Sequence, residues 1–280
     1  MKNLLLLFGC VMLSMTLTGQ ITTPAPSPAA TVNQQVGLTD VSLEYSRPAM
    51  RGRTIFGDLV PYDALWRTGA NKNSMITFSD DVTIGGKEVV AGSYAIFTKP
   101  GASSWEVYFY SDTNNWGTPK EWDEAKIAAK VTAEVKTMPM SVDTFTMSLY
   151  DLHNNGATLG IMWDKTYVEV PFMVPTKKKA LESIETVMGG PSANDYYAAA
   201  SYYFEEGEDL EKAKEWIDMA VAKNGQAYWV VRRQSLIYAK LGDKKAAIEA
   251  AKKSMALAKE ANNPDYVKMN EDSLKEWGAM

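Results

Sequence analysis

The stretch VTIGGKEVVAGSYAIFTKPG, Val82 to Gly101, decides how the first half of the chain is read. Val82 and Ile84 alternate with Thr83, Gly85-Gly86 interrupts, and Val89 resumes the apolar series. Neighbouring side chains on a strand point to opposite faces, so a period of two marks half-buried β-structure. Paired glycines accept the positive φ of a tight hairpin turn. Lys99-Pro100-Gly101 marks the next reversal.

The same period extends outward on both sides. VSLEYS (Val41–Ser46) and SMITFS (Ser74–Ser79) precede the quoted stretch. SWEVYFYS (Ser104–Ser111), VDTFTMSLYDL (Val142–Leu152) and YVEVPFMV (Tyr167–Val174) follow it, with a turn at Asn154-Asn155-Gly156. Many short strands separated by turn residues predict an antiparallel β-sandwich, jelly-roll-like, over residues 38–175.

After Pro175 the period becomes 3.6. Tyr196, Ala199, Ala200, Tyr203, Gly207, Ala213, Ile217 and Ala220 occupy positions equivalent to Val231, Gln234, Ser235, Tyr238, Gly242, Ala247, Ala251 and Ser254, with one extra residue between Gly207 and Ala213. Ala213 and Ala247 stand 34 residues apart, the tetratricopeptide (TPR) repeat length. Small residues let paired helices approach, and the tyrosines fill the space between them. Residues 176–280 therefore read as a TPR-like helical domain, closed by further helices near Lys179–Met188 and Tyr266–Trp277. The fold class expected is α+β, in two domains.

The amino terminus reads as an address. Lys2 followed by the apolar run from Leu4 to Leu17 is a signal peptide, residues 1–19, with cleavage after Gly19. Leu7 to Cys10 is a poor lipobox, so lipid attachment at Cys10 is not expected. The only cysteine leaves with this segment, so the mature chain has neither disulfide nor thiolate ligand. Residues 20–37, rich in Pro, Ala and Thr, predict a flexible lead-in. The destination is periplasmic or extracellular. A net charge of −5 argues against nucleic acid as a partner, and no later segment is apolar enough to span a membrane.

Catalytic motifs are missing. The one histidine, His153, sits in a turn without a nucleophile elbow or a paired metal-ligand motif. No catalytic residue, metal or cofactor is assigned, and Asp80-Asp81 and Asp112 read as solvated turn acids. Arg47 to Lys72 differs from the rest of this acidic chain. It carries Arg47, Arg51, Arg53, Arg67 and Lys72 against Asp58 and Asp63, with Tyr45, Tyr62 and Trp66 among or beside them. Guanidinium forks suit carboxylate, phosphate or sulfate, and they equally suit backbone carbonyls that pin a long loop.

YSRPAMRGRTIFGDLVPYDALWRTGAN (Tyr45–Asn71), then ITFSDDVTIGGKEVVAGSYAIFTKPG and WEVYFYSDTNNWG, resembles the family catalogued as domain of unknown function 2911 over about Leu38–Val174. The resemblance implies an exported bacterial β-domain, sometimes followed by a helical tail, with no established activity. It singles out Ser46, Arg47, Pro48, Arg51, Arg53, Phe56, Gly57, the run Trp66 to Asn71, and Trp116-Gly117. Lys72 stands where the family pattern has an acid, reversing the charge beside Asn71. The candidate ligand-binding set is Arg47, Arg51, Arg53, Trp66, Arg67, Thr68, Asn71 and Trp116, with a carbohydrate or anionic small molecule as the expected partner. On the helical half, Tyr197, Phe204, Trp229 and Arg232 mark a candidate face for a peptide or protein. The function expected is a non-catalytic binding or assembly module of the envelope. The alternative is a glycan-directed hydrolase using Asp58 or Asp63 as base.

Overall fold

The structure, a computed structural model, describes residues 23–280, so the signal segment expected at 1–19 lies outside it. The chain divides after Val174 into two compact units, the first built on strands and the second on helices. The fold class is thus α+β.

The strands are β1 (Ala29–Val36), β2 (Thr39–Ser46), β3 (Ser74–Phe78), β4 (Val82–Ile84), β5 (Lys87–Val89), β6 (Gly92–Pro100), β7 (Ser104–Tyr110), β8 (Ile127–His153) and β9 (Gly156–Met173). They form one antiparallel sheet in the order β1-β2-β3-β6-β7-β8-β9-β4-β5. β8 is the hinge of this order. Its first part pairs with β7 and its second with β9, with register shifts between Thr137 and Thr146. Such irregularities bend a strand and raise its twist.

The sheet consequently folds over a single core. Phe78 on β3 meets Phe172 on β9 with ring centroids 5.4 Å apart, and Tyr45 on β2 meets Phe145 on β8 at 5.9 Å. Neither pair is adjacent in the strand order. Leu43, Ile76, Ile96, Trp105, Leu159 and Val170 fill the space between, all essentially shielded from solvent. Each such side chain contributes about 1.5–3 kcal/mol on burial. On the opposite face of β6 and β7, Phe97 and Tyr110 are covered by Trp122, which stacks on Tyr110 at 4.5 Å.

The lead-in expected at residues 20–37 needs correction. β1 occupies Ala29–Val36 and pairs along its whole length with β2, from Ala29 opposite Ser46 to Val36 opposite Thr39. Its inward positions are Ala30, Val32, Gln34 and Val36, of which only Val36 is fully buried. An edge strand with a weak apolar face looks like linker composition.

The second unit comprises α1 (Thr176–Val187), α2 (Ala193–Glu206), α3 (Leu210–Lys223), α4 (Tyr228–Lys240), α5 (Lys244–Glu260) and α6 (Pro264–Glu276). Ser192 and Asp195 form a reciprocal capping box at α2, and Asp209, Asp243 and Asn263 cap α3, α5 and α6. Each cap satisfies an amide that the helix cannot. From α2 onward each helix packs on the next. Ala200, Ala213, Ser235, Ala247 and Ser254 are fully buried where those helices touch.

Candidate functional site

The connection from β2 to β3 builds the site. Trp66 and Thr98 exchange two backbone hydrogen bonds of 2.7 and 2.9 Å, which ties the loop to β6. On the other side, Met50 N–H donates to Asp143 O and Phe145 N–H to Pro48 O, tying it to β8. Along this connection Arg51, Asp63, Thr68 and Asn71 all hold positive φ, near +51°, +58°, +55° and +61°. Left-handed backbone costs a non-glycine residue about 1–2 kcal/mol, so the surroundings must enforce it.

Gly69, at φ +135°, has no substitute here: a Cβ would lie 3.1 Å from both Ser46 O and Ser74 Oγ. Trp66 turns inward. It stacks on Trp163 at 6.1 Å, 15° from parallel, and meets Phe145 edge-on at 5.5 Å.

Above this aromatic floor lies a cleft of ≈ 460 Å³. Its walls include Arg51, Arg53 and Arg67 from the loop, Leu59 and Val60 on an apolar side, and Pro26 and Ser27 from the segment before β1. The three guanidiniums have only main-chain partners or none. Arg51 donates to Pro26 O at 3.0 Å, and Arg53 donates to Met50 O at 2.8 Å and to Ala49 O at 2.7 Å. Arg67 makes no side-chain hydrogen bond among the described residues, and its Nε is buried without a partner. None of the three forms an ion pair among the described residues. A concave surface therefore carries three cationic forks whose charge no carboxylate offsets, in a chain that is acidic overall.

A family model described as "Protein of unknown function (DUF2911)" matches residues 27–172, about half of the chain. The chain belongs to this family. The matched span starts eleven residues before the Leu38 suggested by the motifs, so the DUF2911 domain includes β1 and Ser27 of the cleft wall. No curated protein and no solved structure matches the chain.

The candidate residues of the sequence divide by role. Arg51, Arg53, Trp66 and Arg67 line the cleft. Arg47 does not; its Nε donates to Phe145 O at 3.2 Å and its Nη2 to Thr146 Oγ1 at 2.8 Å, joining β2 to β8. Thr68 is fully buried and hydrogen-bonds Thr98 Oγ1 at 3.0 Å. Asn71 holds the N-terminal segment, donating to Ser27 O at 3.3 Å and Ser46 Oγ at 3.2 Å. Trp116 stands outside the cleft wall on an exposed loop. Asp58 and Asp63 do not line the cleft either.

Two parts of the cleft escaped the sequence reading. Trp163 lies in the first half of β9, between Met162 and Asp164, where no binding motif marks it. Pro26 and Ser27 fell in the segment taken for flexible lead-in.

Other titratable groups are engaged locally. His153 Nδ1 accepts from Asn155 N–H at 3.3 Å in its turn, and Asp81 accepts from Ala91 N–H at 2.8 Å. Among the described residues no group of three His, Cys, Asp or Glu is placed to hold a metal ion.

In the helical unit, the four aromatic and arginine candidates have separate surroundings. Phe204 carries the Arg233 guanidinium 5.1 Å and the Lys240 ammonium 5.2 Å from its ring centroid. Tyr197 packs partly buried on the helical core, and exposed Trp229 lies edge-on to Tyr228 at 5.0 Å. Arg232 donates to Ser273 Oγ on α6 at 3.0 Å, and burial lowers its pKa below the ordinary guanidinium range.

Proposed function

We propose that the DUF2911 domain of this chain is a binding module for a compact anion, held by Arg51, Arg53 and Arg67 over the Trp66–Trp163 floor. The observation that carries this reading is the unneutralised arginine trio, above all Arg67, whose buried Nε has no partner. A guanidinium that merely pinned the loop would spend its donors within the chain, as Arg47 does on Phe145 O and Thr146 Oγ1. Carboxylate, phosphate and sulfate each accept two parallel N–H bonds from such a fork.

The hydrolase alternative draws no support from the cleft, because Asp58 and Asp63, the bases it would use, are not in its wall. The enclosure of one core by both parts of the folded sheet supports the sandwich reading. Burial of Ala213 and Ala247, 34 residues apart at equivalent places in α3 and α5, supports a TPR-like helical unit. We further infer export to the periplasm or beyond, on the leader-like first nineteen residues. A protein partner for the helical unit would meet Trp229 before Arg232, which α6 engages.

Thermal denaturation of the purified chain with inorganic phosphate, sulfate or citrate at low ionic strength tests the cleft. A ligand at a hundredfold excess over its dissociation constant adds about 2.7 kcal/mol of stability. The expected result is a raised melting temperature that disappears in Arg67→Ala. An unchanged melting temperature with all three anions, at concentrations where bulk salt effects are controlled, sinks the reading.

A further inference from the structure

We propose that the ligand of this cleft is an anionic sugar, its charged group on the arginines and one face of its ring on Trp116. The inference rests on the anion reading above and adds the second contact. Trp116 is 81% exposed, more than any other large apolar side chain among the described residues. Single exposed apolar residues are ordinary. This one differs in how firmly its loop is held and in what it stands beside.

The holding is done by two asparagines. Asn115 N–H donates to Asn73 Oδ1 at 2.9 Å, and Asn73 N–H donates back to Asn115 O at 3.0 Å. Asn115 Nδ2 then closes the turn on Asp112 O at 2.7 Å, and Lys126 pairs with Asp112 at 3.2 Å. Asn73 lies in the same loop as Arg67, so one fastening joins the backbone segments that carry Trp116 and Arg67. The juxtaposition shows at Gly117. It has φ +111°, and a Cβ there would sit 3.5 Å from Arg67 Nη1. Trp116 is therefore one residue from the backbone that borders the unpartnered arginine.

The chemistry narrows the ligand. An indole face is electron-rich, and it attracts groups that present positive edges. One face of a pyranose offers a set of C–H bonds to such a surface while its hydroxyls remain in water. Asn114 and Thr118 flank Trp116 and are exposed, so the indole does not belong to a greasy patch suited to an alkyl chain. A nucleobase could stack equally well, but its edges need amide partners. Asn73 Nδ2 and Asn115 Nδ2 already donate within the loop, to Ser74 O and Asp112 O, which leaves exposed Asn114 as the candidate reader of a base. A sugar needs no such reader on its stacked face.

Isothermal titration calorimetry on the full chain, with Trp116→Ala, Trp116→Phe and Arg67→Ala, tests the two contacts separately. The probes are inorganic phosphate, glucose 6-phosphate, glucuronate, neutral glucose and adenosine monophosphate. Glucose 6-phosphate is expected to bind at least about tenfold more tightly than phosphate, the scale of one stacking contact. Trp116→Ala removes that gain and leaves phosphate affinity unchanged, Trp116→Phe restores part of it, and Arg67→Ala weakens both. Glucuronate in place of glucose 6-phosphate as the tighter probe would identify the charged group as carboxylate and support the same proposal.

If phosphate binds but the sugar adds nothing, or Trp116→Ala changes nothing, the inference falls and the anion cleft stands. Tighter, Trp116-dependent binding of adenosine monophosphate overturns the sugar in favour of a base. Neutral glucose binding that ignores Arg67→Ala overturns the shared site. No binding by phosphate or either charged sugar overturns the cleft reading itself, and the inference with it.

Discussion

Arg47 and Arg67 are two arginines of one loop with opposite tasks, and stability measurements can tell them apart. Arg47 bonds Phe145 O and Thr146 Oγ1 across the sheet, so Arg47→Met leaves partly buried acceptors unsatisfied. A loss of about 1–3 kcal/mol in urea unfolding is expected, with anion binding retained. The Arg67 side chain makes no hydrogen bond to lose among the described residues and keeps one buried nitrogen without a partner. Arg67→Met should therefore leave stability unchanged or raise it slightly, since an unpaired buried polar group is itself a cost. Binding should vanish. A loss above about 1 kcal/mol for Arg67→Met would mean that internal partners satisfy its guanidinium, and the anion reading would go with it. The sequence placed both arginines in one candidate set because composition shows how much charge a loop carries, not the side on which each residue emerges. That side is decided by left-handed turns at Arg51, Thr68 and Asn71, which residue type does not announce. Gly69 was visible as part of the motif, but its reason, a Cβ site against Ser46 O, depends on strands distant in sequence.

At the scale of elements, β8 joins the two parts of the sheet and carries one lysine toward each partner strand. Lys130 pairs with Glu106 on β7, and Lys136 with Glu169 on β9. The Lys130 hydrogen bond, then that from Tyr108, holds the Glu106 carboxyl below its ordinary pKa. The Lys136 hydrogen bond does the same for Glu169. A depressed folded-state pKa stabilises the protein fully above the unfolded value of about 4.3. The gain is lost as pH falls through the folded values. Both pairs are partly exposed, so each is worth at most about 1 kcal/mol. Urea unfolding at neutral pH and near pH 3 should show a drop that is shallower by up to about 2 kcal/mol in the double variant Glu106→Gln, Glu169→Gln. An identical drop in the variant would show that these pairs contribute nothing. The strands themselves were legible where alternation was strong: VSLEYS, SMITFS and SWEVYFYS fall on β2, β3 and β7. β1 was not, because Thr, Asn and Gln on an edge strand carry little contrast between faces. The span of β8 was not, because pairing with two partners lets a strand run well past the usual length.

For the whole molecule, the two units hide very different side chains. The β unit encloses Trp105, Phe78, Phe109, Phe145 and many Ile, Leu and Val residues. In the helical cluster, five of nine buried residues are alanine: Ala199, Ala200, Ala213, Ala220 and Ala227. Alanine permits close helix packing but removes little apolar area from water, whereas each large side chain contributes about 1.5–3 kcal/mol. The strand pairings also link residues far apart in sequence, such as Ile84 and Phe172, whereas the helices pack mainly on their chain neighbours. A stack held by neighbour contacts opens piecewise more readily than a folded-over sheet. Native-state hydrogen exchange should therefore find the slowest amides in β2, β3, β6 and β7. Those of α2 to α5 should exchange through openings of lower free energy, and a saturating anion should slow only the first group. Equal protection in both groups, responding together to the anion, would mean that the cores act as one cooperative body. The alanine-rich composition of the helices would then have to be explained by close approach alone, with no loss of stability attached to it.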